Sequence, residues 1–284
     1  FAYVSENLFV IEANPRASRT VPFVSKATGV QLAKAAVMIG LGKTIAELKA
    51  EGYLPKNMDG ASLPQNTAIA VKAAVLPFSR FRTPEGVVVD SLLSPEMRST
   101  GEVMGLDTLY DTAFAKAQAG AGSPLPTEGK VFVSVANHDK RNVIIYAKML
   151  EQLGFEIVST GGTADVLRRN GVNSTVASKF AEANGQHSIV DMVRNGEIDL
   201  ILNTPAGGAA RSDGYEIRAA AVSVGCPVMT TISEFAAAVQ AITALRERSW
   251  EIINLQEHGE FLRTASTREQ GQDKDEQARE GELS

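Results

Sequence analysis

The stretch "KVFVSVANHDKRNVIIYAKMLEQLGFEIVSTGGTADVLRRNG", residues 130–171, decides the fold. It begins with a run rich in Val and Phe that predicts a strand, and it continues with apolar residues at helical spacing that end at Gly154. A second strand-like run, "FEIVST", follows, and a shorter helical pattern ends at Gly171. Strands that alternate with helices of this length predict right-handed crossovers and a parallel sheet.

The same alternation continues toward the carboxyl terminus. The segments "NSTVAS", "IDLILNT" and "CPVMTT" predict strands. The segments "SIVDMVRNG", "GYEIRAAAVSVG" and "SEFAAAVQAITALRER" have helical spacing. We therefore expect an α/β domain in which a parallel sheet lies between layers of helices.

A domain boundary is predicted at "AGAGSPLPTEGK", residues 119–130, because its Gly, Pro and Ser residues cannot sustain a helix. Residues 1–122 form a first region, with the helical pattern "GVQLAKAAVMIGLG" and the strand-like "VKAAVLPF". Residues 123–256 form the α/β domain. Residues 257–284 are polar and charged, and we expect them to be a disordered tail.

Composition limits the function. The chain has 284 residues and a formal net charge of -5, so general electrostatic attraction to nucleic acid or to an anionic membrane is not expected. Cys226 is the only cysteine, which excludes an internal disulfide and metal sites of the CxxC type and fits a cytoplasmic location. Three scattered histidines give no zinc-ligand spacing. A small ligand is the expected partner.

Polar residues follow several predicted strands, and in such sheets ligands bind outside the carboxyl ends of the strands. The run "STGGT", Ser159–Thr163, puts hydroxyls and two glycines at a helix start, which suits a phosphate. The same edge is expected to hold Lys140, Lys179, Asn203 and Thr204. Ser, Thr and Gly are also ordinary helix caps, and each lysine alone can be a solvated surface charge. The pattern leaves both interpretations open.

The early segment "IEANPR" is chemically dense. Glu12 and Asn14 are two residues apart, so on a strand they share a face and offer two oxygen ligands to Mg²⁺. Arg16 and Arg19 add guanidinium groups suited to a phosphoryl group in transfer. A surface strand, a turn at Pro15 and a salt-bridged loop explain the same pattern, so local sequence leaves this open too.

Two longer motifs carry a family resemblance. "IEANPRASRTVPFVSKATGVQLAKAA" closely resembles the end of the second ATP-grasp unit of carbamoyl-phosphate synthetase large subunits, and "LLSPEMRSTGEVMG" resembles a second characteristic stretch of them. From about Lys130 the chain is similar to their carboxyl-terminal allosteric domain, a Rossmann-like unit similar to methylglyoxal synthase. The resemblance covers residues 5–256 and implies that the chain is the back end of a larger subunit.

The resemblance implies a ligase that makes carbamoyl phosphate from bicarbonate, two ATP and ammonia from a glutamine amidotransferase small subunit, for arginine and pyrimidine biosynthesis. Glu12 and Asn14 match the family's ligands for Mg²⁺ or Mn²⁺ beside the ATP phosphates. Arg16 and Arg19 match its catalytic arginines beside the phosphates, and Arg16 is also expected to bind the ATP cofactor. We expect this chain alone to be inactive, because the rest of the ATP site would precede Phe1.

The resemblance also implies an allosteric nucleotide, usually UMP as inhibitor or IMP as activator. Five positions match family contacts to it, and they are Lys140, Thr160, Thr163, Lys179 and Asn203, with Thr204 completing the predicted set. Some relatives have "NTTSGR" where this chain has "NTPAGG", so Pro205 replaces a hydroxyl and Gly208 an arginine, for which Arg211 is a candidate substitute. Self-association is also expected.

Ornithine activates some relatives, but the positions of its glutamate and tyrosine contacts hold Ala73 and Val228 here, so no ornithine site is expected.

Three alternatives to the ligase remain. A stand-alone nucleotide-monophosphate module fits the α/β domain alone. A methylglyoxal synthase-like lyase would need a carboxylate base and a histidine, which "TPAGG" does not supply. A biotin-dependent carboxylase, another ATP-grasp ligase, is the third alternative, and the segment "RTVPFVSKATG" and the appended domain argue against it.

Overall fold

The structure is a computed structural model, and it describes residues 1–56, 68–83, 88–93, 96–178, 188–205 and 207–258, with only the backbone for 207–213. The chain forms two compact units. One comprises residues 1–69 and the chain from residue 252, and the other comprises residues 70–251. Most of the predicted tail, residues 259–284, lies outside the described residues. The predicted domain boundary between residues 122 and 123 stays a prediction.

The first unit begins with an antiparallel hairpin of β1 (Ala2–Val4) and β2 (Asn7–Phe9). The prediction that Glu12 and Asn14 lie on a strand is wrong, since β2 ends at Phe9 and the segment after it is irregular. The register explains the end of β2. Ala2 lies opposite Phe9, and no strand in the described residues pairs with the segment that follows.

Three helices follow in the same unit, α1 (Thr20–Thr28), α2 (Leu32–Gly40) and α3 (Ile45–Ala50). Helix α1 ends at Gly29, whose φ of 71° is the left-handed conformation typical of a helix C-terminus. Helix α3 begins with a capping box in which Thr44 and Glu47 satisfy each other's backbone N–H groups.

The second unit contains a two-stranded sheet of β3 (Ile69–Val75) and β4 (Gly101–Asp107), followed by helix α4 (Tyr110–Gly120). Helix α4 lies unusually close to β4. A Cβ atom on Gly105 would be 1.9 Å from the carbonyl oxygen of Ala113 and 2.5 Å from the backbone nitrogen of Ala117. Only glycine fits there, because both neighbouring atoms belong to backbone.

The rest of the second unit is a five-stranded parallel sheet with flanking helices, which confirms the predicted α/β fold. The strands are β5 (Lys130–Ser134), β6 (Glu156–Ser159), β7 (Thr175–Val176), β8 (Leu200–Asn203) and β9 (Val228–Met229), in the order β7-β6-β5-β8-β9. The helices are α5 (Val143–Gln152), α6 (Gly161–Arg169), α7 (Ile189–Arg194), α8 (Gly207–Val224) and α9 (Ile232–Glu247). Across the described parts of the chain, no helix is both long enough and apolar enough to span a membrane.

Both faces of the central strands are buried, as expected for a parallel sheet covered on two sides. Val131 and Leu200 are paired neighbours that pack into the cluster formed with α4, α5 and α9. Phe132 and Ile201, next along the same strands, pack into a second cluster with α7 and α8. Both strands are therefore apolar at successive positions in their interiors, and each has a polar residue, Ser134 or Asn203, at its carboxyl end.

Candidate functional site

The carboxyl edge of the sheet brings several of the predicted polar residues together. The chain order reverses between β5 and β8, which is the switch point at which open α/β sheets bind ligands. Ser134 ends β5 and is paired with Asn203, which ends β8. Ser159 ends β6 on the other side of β5. All three side chains are buried, so this edge of the sheet is polar where the rest of the sheet is apolar.

Thr160 occupies the N-cap position of α6, but its side chain makes no capping hydrogen bond there. Its hydroxyl oxygen instead lies 3.5 Å from Ser134 Oγ and 3.4 Å from Thr163 Oγ1, two acceptors for its single proton. Both distances are at or beyond the long end of the range for hydroxyl hydrogen bonds, so these are weak contacts. The helix-cap interpretation of Thr160 is not supported by this geometry. The hydroxyls of Thr160 and Thr163 lie side by side at the N-terminus of a nine-residue helix.

Lys140 adds a cation to the two threonines. It follows a short 3-10 turn, Asn137–Asp139, in the loop after β5. Its Nζ lies 3.1 Å from the position that a Cβ atom would take on Gly162, in the first turn of α6. The ammonium therefore approaches the helix N-terminus where glycine leaves room for it. Thr160, Thr163, Gly162 and Lys140 are named together below as the phosphate cradle.

Thr204 lies beside the cradle and connects β8 to the loop after β5. Its backbone nitrogen donates to Ser134 O at 3.1 Å, and its buried hydroxyl accepts from Ala136 N at 2.9 Å. A cavity of about 760 Å³ adjoins it, lined by Thr204, by the loop after β5 and by Thr230–Ser233 at the start of α9. This volume is in the range of small-molecule sites.

Asn203 contacts a residue that sequence reasoning missed. Arg218 of α8 is fully buried, and its Nη1 donates to Asn203 Oδ1 at 2.6 Å. Its Nε and Nη2 donate to the two carboxylate oxygens of Asp90, both at 2.7 Å. A signal was available in the helical pattern, because Arg218 falls on the apolar face that also carries Ala221.

Part of the predicted set cannot be placed. Lys179 lies outside the described residues, as does His187. Gly208 and Arg211 are in residues 207–213 of α8, for which only the backbone is described, so the substitute role of Arg211 stays a prediction. His138 is exposed, and its Nε2 lies 3.4 Å from Asp139 Oδ2.

The predicted metal pair in the first unit does come together. Asn14 Nδ2 donates to Glu12 Oε1 at 3.1 Å, and Arg16 N donates to Asn14 O at 2.8 Å, which closes a turn at Pro15. Glu12, Asn14, Arg16 and Arg19 are all exposed. Within the described ranges no group of three or more His, Cys, Asp or Glu can hold a metal ion. The pair fits Mg²⁺ or Mn²⁺ only if phosphate oxygens, water and further groups complete the coordination.

Ala73 and Val228, the two residues that argue against an ornithine site, line one cavity of about 700 Å³ in the second unit. Glu234 lines it as well. Burial raises the pKa of the Glu234 carboxyl above its ordinary value, and a hydrogen bond from Thr230 N opposes that effect in part. The rest of the lining is mixed, with Lys72, Arg80 and several hydroxyl side chains among its apolar residues.

Comparison with known proteins gives two family matches. Residues 1–48 match the family described as "Carbamoyl-phosphate synthase L chain, ATP binding domain", and residues 142–230 match the family described as "MGS-like domain". The two matched stretches correspond to the start of the first unit and to most of the parallel sheet with its helices.

Curated relatives cover almost the whole chain. A carbamoyl phosphate synthase large chain of Kocuria rhizophila is 66% identical over 96% of this chain and 25% of its own length. Those of Pseudarthrobacter chlorophenolicus and Streptomyces coelicolor are 66% and 56% identical over 92% of this chain and 24% of theirs. The resemblance predicted from the sequence is therefore confirmed, and this chain matches about a quarter of a carbamoyl phosphate synthase large chain, from an ATP-binding domain segment through an MGS-like domain.

Proposed function

We propose that this chain is the carboxyl-terminal part of a carbamoyl-phosphate synthase large chain and that its α/β domain binds a nucleoside monophosphate that regulates the enzyme. The observation that carries the proposal is the phosphate cradle, in which the Lys140 ammonium and two threonine hydroxyls meet at the N-terminus of α6. A helix N-terminus favours an anion, and charge-assisted hydrogen bonds are the stronger ones.

The neighbouring cavity gives the nucleoside a place to bind. It adjoins Thr204, which is linked through Ser134 to the cradle, so a ligand with its phosphate in the cradle can extend along the sheet edge. UMP and IMP are the expected nucleotides. Pro205 offers no hydroxyl or backbone N–H to the ligand, so the choice between the two bases depends on other groups.

Isothermal titration calorimetry on the intact chain with UMP, IMP and uridine tests this proposal. At least one monophosphate should bind, and uridine should bind much more weakly because it lacks the charged group. Lys140→Ala and Lys179→Ala should each weaken binding by about tenfold or more, the loss of one charge-assisted hydrogen bond. Lys148→Ala, an exposed position on α5, is the matched control and should not change binding. If neither nucleotide binds, the proposal is wrong.

For the whole enzyme, we propose that Glu12 and Asn14 bind Mg²⁺ or Mn²⁺ with the ATP phosphates and that Arg16 and Arg19 contact the transferring phosphoryl group. The adjacency of Glu12 and Asn14 supports this assignment. In a full-length large chain with its amidotransferase subunit, Glu12→Ala should impair phosphorylation of carbamate and leave bicarbonate-dependent ATP hydrolysis at the other ATP site largely intact. Equal loss of both partial reactions would contradict the assignment.

Ornithine should have little effect on that enzyme. The cavity that holds Ala73 and Val228 lacks the polar contacts of an ornithine site at those two positions. A several-fold activation by ornithine in steady-state kinetics would contradict this expectation.

A further inference from the structure

We propose that Arg218 is a positioning residue of the nucleotide site, which fixes the Asn203 amide for the ligand and couples its occupancy to the segment of residues 88–93. This inference rests on the proposed nucleotide binding. Its basis is one network in the second unit, in which the buried Arg218 joins the buried Asn203 to the partly buried Asp90.

The Arg218 guanidinium connects Asn203 to Asp90. Its side chain has no exposed surface, and all three of its nitrogens donate to these two residues at distances of 2.6 to 2.7 Å. Two parallel bonds hold the Asp90 carboxylate, the bidentate geometry in which an arginine and a carboxylate are most strictly oriented. The remaining nitrogen holds Asn203. A shift of Asn203 or of Asp90 therefore moves the guanidinium that the other residue contacts.

The chemistry of arginine fixes the orientation of the Asn203 amide. A guanidinium only donates hydrogen bonds, so the atom that faces it must be the carbonyl oxygen Oδ1. The amide nitrogen Nδ2 then faces away from Arg218, and the described residues provide no acceptor for it. Asn203 is the last residue of β8 at the ligand edge of the sheet. Its Nδ2 is thus oriented as a donor for a bound nucleotide.

Close packing makes the network stiff. A Cβ atom on Gly214, one turn before Arg218 in α8, would lie 2.2 Å from Arg218 Nη1 and 2.6 Å from Asn203 Oδ1. The glycine allows the helix backbone to lie directly against the guanidinium and the amide. Because the helix backbone packs directly against this side of the guanidinium and the amide, a shift of Asn203 on ligand binding would displace Arg218.

The far end of the network is the segment 88–93, which directly precedes and enters the motif "LLSPEMRSTGEVMG". Asp90 Oδ1 accepts from Leu92 N at 3.1 Å as well as from Arg218, so the carboxylate also shapes its own segment. Helix α8 holds the segment at a second point, where Tyr215 Oη donates to Val88 O at 2.5 Å. A ligand that contacts Asn203 can therefore affect this segment through the hydrogen bonds of Arg218.

Hydrogen–deuterium exchange with mass spectrometry on the intact chain, with and without saturating UMP or IMP, tests the coupling. In the unaltered chain the bound nucleotide should slow exchange at the end of β8 and also in residues 88–93. Asp90→Asn keeps the shape of the side chain but removes its charge. This variant should still bind the nucleotide, yet residues 88–93 should no longer respond to it.

Two further variants separate positioning from general stability. Asn203→Asp keeps an acceptor for Arg218 but removes the Nδ2 donor, so it should keep its melting temperature while binding weakens by about tenfold or more. Asp107→Asn breaks another partly buried ion pair, 2.8 Å from Lys116, and should leave the response of residues 88–93 intact. A merely structural network would lower melting temperature and binding together in Asp90→Asn and would leave the response in place.

The outcomes distinguish the two proposals. If the unaltered chain binds neither UMP nor IMP, the proposed function fails and this inference fails with it. If the chain binds a nucleotide but residues 88–93 do not respond, or respond equally in Asp90→Asn, only the coupling is overturned. If Asn203→Asp binds as tightly as the unaltered chain, the positioning role of Arg218 is overturned.

Discussion

The ammonium of Lys140 lies 3.1 Å from the point at which a Cβ atom would stand on Gly162. The lysine is in the loop after β5 and the glycine in the first turn of α6, so two successive strand–helix units meet at this point. The contact depends on the absence of a side chain at Gly162. A single methyl group placed there tests the cradle without removing any polar atom.

Gly162→Ala should weaken nucleotide binding by about tenfold, the loss of one charge-assisted hydrogen bond, because the methyl group moves the ammonium away from the phosphate. The fold should be retained, since the displaced atom is the free end of a flexible side chain. Gly161→Ala is the matched control, because nothing lies within 4 Å of its Cβ position. Calorimetry and thermal melting on both variants check this. Equal binding by the two variants would count against the cradle.

Stability should decrease with rising pH through the carboxyl group of Glu234. Burial raises the pKa of this group above the ordinary 4.5, so the folded state prefers the protonated carboxyl. Its contribution is fully present below 4.5 and is lost as pH rises through the raised pKa. Glu234→Gln keeps an acceptor for Thr230 N and should flatten the decline in melting temperature above that pH. Glu247→Gln, exposed on the same helix, should not flatten it.

Gly105→Ala should destabilise the second unit. The added methyl group would meet backbone atoms of α4 at 1.9 and 2.5 Å, and the helix would have to move away from β4. Such overpacking costs about 1 to 3 kcal/mol or more of unfolding free energy. Gly120→Ala is the control, because its Cβ would meet only Val103 at an ordinary 3.5 Å. Urea unfolding of both variants measures the difference, and equal midpoints would contradict the prediction.

Cys226 should be nearly inert to alkylation in the folded chain. Burial raises the pKa of its thiol to about 12, with a smaller contribution from the negative charge of Asp199. Only the thiolate reacts, so at pH 8 iodoacetamide should modify the folded chain on the order of a thousandfold more slowly than the unfolded chain. Mass spectrometry in buffer and in urea gives both rates. Fast modification of the folded chain would contradict the raised pKa of this partly buried thiol.

Much of the sheet could be predicted from the sequence. Alternating apolar runs and helical spacing predicted each strand and helix of the parallel sheet, because burial on both faces makes such strands uniformly apolar. The boundaries were harder. Helix α8 begins at Gly207, although the pattern predicted its start at Gly214, because the low helix propensity of the "GGAARSD" segment gave no helical signal there.

The grouping of candidate residues was predictable only where they follow strands. Proximity of Lys140, Thr160 and Thr163 was expected because parallel strands end at one edge, and the structure brings these three together. Arg218 and Asp90 were not found, since 128 positions separate them and only tertiary packing brings them into contact. Glu12 and Asn14 meet as predicted, but through a turn at Pro15 instead of a shared strand face.

The parallel sheet ends on both sides in very short strands. Strands β7 and β9 contain two residues each in the described part of the chain. An outermost strand offers unpaired backbone groups to which a strand of another molecule can add, and a strand of two residues offers very few. The sheet is thereby protected against edge-to-edge aggregation, even though its central strands are among the most apolar segments of the protein.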